Sequence, residues 1–275
     1  LKKIRLIALD MDGTVLTDDK RITRRTAEVI KTAVEKGILV VPASGRTVST
    51  LPREILSIPG IRYVISCNGA CVTDRVSGKH ISENLIPYET VLQILNGLEK
   101  YDCVAEACME DVLYLSERDR EREIAYSVPE LRQFMGALRT ETPDVKALVE
   151  EKKAGAEKLL ILMRDEEEWD KIRIALLKRK ELEVSFSIRN NLEVNVAGVS
   201  KGSSLKALAD YLQIGREEIM VCGDSGNDLS LFSYAGFSVA MGNAEPEIRR
   251  KADAVTLKNT EDGVASAIEK YIFSQ

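Results

Sequence analysis

Four short segments hold the side chains with the most chemical potential. Asp10-Met11-Asp12-Gly13-Thr14 places two carboxylates two residues apart, followed by a glycine that permits a tight turn. Ser44-Gly45-Arg46 offers a hydroxyl and an amide-rich turn, and Lys201-Gly202 opens a helical pattern. Gly223-Asp224-Ser225-Gly226-Asn227-Asp228 adds two more carboxylates four apart. Carboxylates can attack as nucleophiles, move protons or hold cations. Singly these segments are ordinary turns and a solvated lysine. Should they converge, Asp10, Asp12, Asp224 and Asp228 would share a small volume. Two carboxylates 4 Å apart repel by about 4 kcal/mol at an effective dielectric near 20. Lys201 supplies only one compensating charge, so convergence would require a divalent cation. An all-oxygen ligand set selects Mg²⁺ over zinc or copper.

The rest of the composition narrows the chemistry. Among 275 residues there are 44 acids, 39 bases and one histidine, His80. A zinc site of two or three histidines cannot be built, and a Ser-His-Asp triad would have to pass through His80. His80 itself, in Ser77-Gly78-Lys79-His80, reads as an exposed hairpin residue. The net charge of −5 gives no general attraction to nucleic acid or to an anionic membrane. No apolar run approaches the roughly 18 residues of a membrane span. Asp10 and Asp12 cut short the apolar stretch at the N-terminus before a secretory signal core can form. The five cysteines (Cys67, Cys71, Cys103, Cys108, Cys222) are odd in number and lack CxxC spacing, which fits buried thiols in a cytoplasmic protein.

The segments must be positioned by the elements before them. Ile4–Leu9 reads as a buried strand. Thr23 then caps a helix with Ala27, Ile30 and Val34 on one face, stopped by Gly37. Ile38–Ala43 and Tyr63–Ser66 are further apolar strands of the kind covered on both faces. After residue 200 the alternation returns: helix Lys201–Leu212, strand Ile219–Cys222, helix Asn227–Tyr234, strand Phe237–Ala240 and a last helix from about Glu261 to Phe273. This rhythm predicts an α/β fold, a doubly wound, mainly parallel Rossmann-like sheet. Each chemical segment follows a strand or starts a helix, where such sheets bind ligands.

The middle differs. Longer polar helices (Tyr88–Tyr101, Pro143–Lys153, Glu166–Lys180) surround strand Lys158–Met163. A hairpin is expected from Val184–Ile188 and Leu192–Val196 across Arg189-Asn190-Asn191. Residues 84–190 carry 23 acids and 17 bases, so the negative charge belongs to this part and the remainder is near neutral. The organisation predicted is a core of residues 1–83 and 191–275 interrupted by an α+β insert at 84–190.

At these residues the sequence resembles the haloacid dehalogenase superfamily of phosphotransferases, whose four motifs match DMDGT at 10–14, SGR at 44–46, Lys201 and GDSGND at 223–228. The insert follows the second motif, an arrangement similar to the Cof-like phosphatases with a type IIB cap. Asn68-Gly69-Ala70 and Gly198–Gly202 also resemble segments bracketing that cap. The resemblance implies a Mg²⁺-dependent phosphatase acting on a phosphate monoester of a small metabolite, such as a sugar phosphate, with the cap choosing the substrate. Asp10 would be the nucleophile that becomes an aspartyl-phosphate, and Asp12 the general acid and base. Mg²⁺ would be held by the Asp10 carboxylate, the Asp12 carbonyl and Asp224. Asp228 would orient these ligands and Lys201. Ser44, the amides of Met11 and Gly45, Lys201 and Asn227 would cradle the phosphoryl oxygens. Asp12 separates the chain from P-type ATPases, which carry Thr there. The short gap between the first two motifs disfavours phosphomutases. A phosphotransferase or mutase, or a non-catalytic phosphometabolite-binding protein, are the alternatives. Partners other than the metabolite, nucleic acid and membrane included, are not expected, and the chain would be a monomer or homodimer.

Overall fold

The computed structural model describes residues 3–127, 138–186 and 190–274. The chain divides into two compact units, Leu1–Glu83 with Ser200–Gln275, and Asn84–Val199. The first unit begins β1 (Leu6–Leu9), α1 (Arg24–Glu35), β2 (Leu39–Pro42), α2 (Arg53–Leu56), β3 (Tyr63–Ser66), β4 (Cys71–Asp74) and β5 (Lys79–Glu83). The second holds α3 (Tyr88–Leu98), β6 (Cys103–Met109), β7 (Val112–Ser116), α4 (Arg120–Tyr126), β8 (Thr140–Thr142), α5 (Val145–Lys152), β9 (Lys158–Met163), α6 (Glu166–Leu177), β10 (Leu182–Ser185) and β11 (Asn191–Val196). The first unit then resumes with α7 (Lys201–Leu212), β12 (Ile219–Gly223), α8 (Leu229–Tyr234), β13 (Phe237–Ala240), α9 (Pro246–Lys251), β14 (Ala254–Val255) and α10 (Gly263–Ile268).

In the first unit a five-stranded parallel sheet has the order β14-β13-β12-β1-β2. Its strands are apolar on both faces because both are covered. Ile7, Leu9, Val40, Met220 and Cys222 pack on the α1 and α10 side. Leu6, Ala8, Val41, Ile219 and Val221 pack with α7 and α8 residues on the other. The Thr23 side chain caps α1 by accepting the Thr26 N–H, as expected; Thr26, Val29, Ile30 and Ala33 are the buried residues, and the expected Ala27 and Val34 pack partly buried against the same core. The order reverses between β1 and β12, since β2 lies on one side of β1 and β12 on the other. That reversal opens a crevice beyond the strand ends, next to Asp10 and Asp224. β3 lies at the margin of the expected mainly parallel sheet. It touches the main sheet through one parallel bridge, Ala43 with Ile65, and then heads an antiparallel ribbon β3-β4-β5.

The second unit is a six-stranded sheet of order β10-β11-β9-β6-β7-β8, antiparallel except for the β7–β8 pair. Alternation along the strands sends Ala107, Leu159, Ile161, Met163, Leu192 and Val194 into a core with Val91, Ile94, Val149 and Ile172 from the helices. The boundary predicted at residues 190 and 191 is displaced. β11 pairs with β9 and β10, so it belongs to the insert, and that unit runs on to Val199. The predicted hairpin forms with Leu182 opposite Val196 and Ser185 opposite Glu193. Its positions Ser187, Ile188 and Arg189 lie outside the described residues.

The other face of this sheet buries ionisable groups. Arg139 lies between two carboxylates, 2.8 Å from Glu123 and 3.2 Å from Glu106. Burial pushes the Glu106 carboxyl up to about 7, with Glu123 adding and Arg139 opposing. A carboxyl raised in the folded state gains stability below its folded value. The contribution is therefore lost as pH rises from about 4.5 to 7, and is constant above that. Glu106→Gln should remove that dependence and stabilise the protein at pH 8 by up to ~3 kcal/mol, read from denaturant unfolding at pH 5 and pH 8. An unchanged difference between the two pH values would contradict it.

Candidate active site

The sheet brings three of the four chemical segments together side by side. Asp10 donates its N–H to the Cys222 carbonyl at 3.0 Å, which ties the end of β1 to the end of β12. Ala43 donates to the Leu9 carbonyl at 2.8 Å, which sets Ser44 at the same sheet edge. The fourth enters through α7, whose cap is a reciprocal pair: Ser200 accepts the Ser203 N–H, and the Ser203 hydroxyl oxygen accepts the Ser200 N–H. Lys201 at the first turn of α7 is 1% exposed. Its ammonium donates to Asp10 Oδ1 at 2.6 Å, Asp228 Oδ1 at 2.7 Å and Asn227 Oδ1 at 3.3 Å. A lysine so buried is there to meet charge.

The acidic loop is held by its own last carboxylate. Asp228 Oδ2 accepts from the Asp224 N–H at 3.0 Å and the Ser225 N–H at 3.1 Å, leaving the Asp224 side chain to face Asp10. The Thr14 hydroxyl donates to Asp224 Oδ1 at 3.0 Å. Gly13, at φ +81°, lies so close that a Cβ would overlap the Asp224 carboxylate. Only glycine supplies both the left-handed turn and the room.

Asp10, Asp224 and Asp228 present oxygens within 4.8 Å of one another. Burial and the Asp228 charge push the Asp10 carboxyl up, against the pull of Lys201. Burial and Asp228 likewise raise Asp224 to about 6. Burial works against the Lys201 ammonium, yet Asp10 and Asp228 outweigh it and hold its proton firmly. One ammonium among two buried carboxylates and the half-buried Asp224 leaves the cluster short of positive charge, and all its free donors are oxygens. The residues therefore fit a divalent metal ion.

The Asp12 carboxylate takes a different direction. Arg46 grips it with both arms, Nε at 2.7 Å and Nη2 at 2.8 Å, and Lys20 adds a contact at 2.8 Å. Burial alone would raise Asp12, but the two cations hold it well below the usual carboxylate range. Arg46 is thus a direct partner of a site residue. The sequence reading also passed over Thr14 and Lys20, and did not connect Asn68 with Asn227. The Asn227 amide donates to Asn68 Oδ1 at 3.4 Å. Thr14 was discoverable from its place in the first motif, whereas nothing local marks Lys20.

The family profile of the haloacid dehalogenase-like hydrolases matches residues 7–268. The chain belongs to that family and is a phosphoric monoester hydrolase of the Cof-like kind. Among its relatives, 5-amino-6-(5-phospho-D-ribitylamino)uracil phosphatase YcsE of Bacillus subtilis is 29% identical, over 98% of this chain and 96% of its own. Phosphatase YwpJ of the same organism is 31% identical over 95% and 98% of the two chains. A solved haloacid dehalogenase-like hydrolase from B. subtilis superposes with a TM-score of 0.84 at 29% identity, covering 98% of this chain and all of the other. The subclass IIB sugar phosphatase BT4131 shares the fold, with a TM-score of 0.80 at 22% identity over 97% and 98% of the two chains. No helix among the described residues is long and apolar enough to cross a membrane.

Proposed function

We propose that the protein is a Mg²⁺-dependent cytoplasmic phosphatase that hydrolyses a phosphate monoester of a small metabolite through an aspartyl-phosphate on Asp10. The observation that carries this reading is the buried Lys201 ammonium between Asp10 and Asp228, with Asp224 alongside. Asp10 Oδ attacks phosphorus, and the bond to the ester oxygen breaks. Lys201 favours the ionised form of the attacking carboxylate and, with Ser44, Asn227 and the amides of Met11 and Gly45, would receive the equatorial oxygens. Asp12, ionised beside Arg46 and Lys20 in the resting site, would take up a proton as the substrate monoanion binds, give it to the leaving oxygen, and then take one from the water that hydrolyses the acyl phosphate. Mg²⁺ would be held by the Asp10 and Asp224 carboxylates and the Asp12 carbonyl, with Asp228 steadying the loop. When bound it offsets their charge and polarises the phosphoryl group.

Turnover of p-nitrophenyl phosphate should need Mg²⁺, stop with EDTA and leave radiolabelled phosphate on Asp10 in a rapid quench. Metal-independent turnover would overturn the mechanism. Arg46→Lys keeps the charge beside Asp12 but loses the two-pronged grip. We expect kcat to fall about tenfold with little change in KM, because the misplaced proton donor acts only in the transition state. The choice of substrate is assigned to the insert, to be tested by exchanging residues 84–199 with those of a relative. The ribitylamino-uracil phosphate for which YcsE and YwtE are named belongs first in a panel of sugar and alditol phosphates.

A further inference from the structure

The only histidine in the sequence takes no part in the site above. His80 lies on β5, the edge strand of the β3-β4-β5 ribbon. In this ribbon Cys71 is opposite Glu83 and Val72 opposite Ser82, but Thr73 is opposite His80 because the register shifts between Val72 and Thr73. Residues directly opposite in an antiparallel pair point to one face, and residues two apart on a strand share it. In an unbroken strand His80 and Glu83, three apart, would lie on opposite faces. The extra residue, Ile81, reverses this, packs beside the core, and puts His80 on the face of Cys71 and Glu83.

The three side chains then converge. Cys71 Sγ, a His80 ring nitrogen and a Glu83 oxygen all lie within 4.8 Å of one another. On the His80 ring Nδ1 meets the Thr73 hydroxyl at 3.1 Å, and Nε2 faces Glu83 at 3.6 Å. A hydrogen bond at one ring nitrogen is the usual means of presenting the other to a metal.

We propose that Cys71, His80 and Glu83 form a binding site for a borderline transition-metal ion, Zn²⁺ in the first instance, separate from the all-oxygen cluster around Asp10. One thiolate, one imidazole and one carboxylate make a ligand set that selects zinc over magnesium, and solvent completes the tetrahedron. Zinc bonds of about 2.0–2.3 Å put tetrahedral ligand atoms about 3.5 Å apart. The present separations close to that by side-chain rotation of His80 and Glu83, whose side chains are 41% and 46% exposed, while Cys71 stays buried. Binding replaces the Sγ proton, which is released to solvent.

Metal-stripped protein, held in excess Mg²⁺ to fill the carboxylate cluster, is titrated with Co²⁺. One equivalent should give a thiolate-to-cobalt charge-transfer band with tetrahedral visible bands, and Zn²⁺ should abolish both. His80→Gln and Thr73→Val should each weaken the metal about tenfold or more, and Cys71→Ser should remove the band. Absence of the band in the wild type, or its survival in Cys71→Ser or unchanged in His80→Gln, overturns the proposal. His80→Gln alters an exposed side chain, so the test does not depend on the folding of the Cys71 variant. Phosphatase activity of His80→Gln in Mg²⁺ should equal that of the wild type, which keeps this test independent of the proposed mechanism.

Discussion

Asp10→Asn is expected to lower kcat for p-nitrophenyl phosphate by ~10⁴-fold or more, because it removes the atom that attacks phosphorus. The amide oxygen has the shape of the carboxylate but neither its charge nor its nucleophilicity. A second measurement separates chemistry from folding. Asp10 is one of three clustered carboxylates served by a single ammonium, and Asp228 and Asp224 both disfavour its charge. Neutralising it costs one ion pair with Lys201 and relieves two repulsions. The metal-free variant should therefore melt at or above the wild-type temperature, while Mg²⁺ stabilises it less than it stabilises the wild type. Retained turnover would remove Asp10 from the reaction. A large fall in the melting temperature would show instead that its carboxylate is chiefly structural.

Lys201→Met is expected to act on both stability and rate. The methionine fills the space of the stem, but Asp10 and Asp228 lose their shared partner inside a site from which water is nearly excluded. Removing one member of a buried ion pair costs about 3–5 kcal/mol, since the remaining charge is stranded. For a chain of this size that corresponds to a fall of about 10 °C in the melting temperature of the metal-free protein. Saturating Mg²⁺ should recover more of this loss than it adds to the wild type, because a cation supplies the missing positive charge. Turnover should still fall by ~10²–10³-fold in Mg²⁺, as an ammonium aimed at the phosphoryl oxygens cannot be replaced by a thioether. A variant as stable as the wild type without metal would contradict the charge balance drawn for the cluster.

The motif residues were legible one segment at a time, and for a local reason. A fully apolar strand such as Ile219–Gly223 is recognisable in isolation, and the turn after it must contain glycine and polar residues. Capping is equally local, so Thr23 was placed before any tertiary contact was known. Elements whose stability comes from neighbours were not legible. The β6–β7 hairpin, Cys103–Met109 with Val112–Ser116, has little alternation at its outer end, and its pairing with β9 decides it. β14 is two residues long and exists because β13 offers it an edge. β11 was expected in a hairpin with the strand before it, yet the boundary at 190 and 191 cut that hairpin, because a residue pattern of period two says that a strand forms, not which sheet receives it.

By itself the sequence determined the α/β alternation, the insertion after the second motif and the set of carboxylates, lysine and hydroxyl available for chemistry. It also supplied the conditional statement that, if these met, a divalent cation would be needed. Only the tertiary structure decided that they meet. The reversal of strand order between β1 and β12 brings Asp10 to Asp224 across more than two hundred residues, and α7 delivers Lys201 between Asp10 and Asp228. It likewise decided that Arg46 and Lys20 turn the Asp12 carboxylate to one side, and that one extra residue in β5 carries His80 to Cys71. The physical reason is the same in each case. Propensity, capping and hydrophobic period act over a few neighbouring residues, whereas electrostatic repulsion and ion pairing act through space and take values only once the chain has closed on itself.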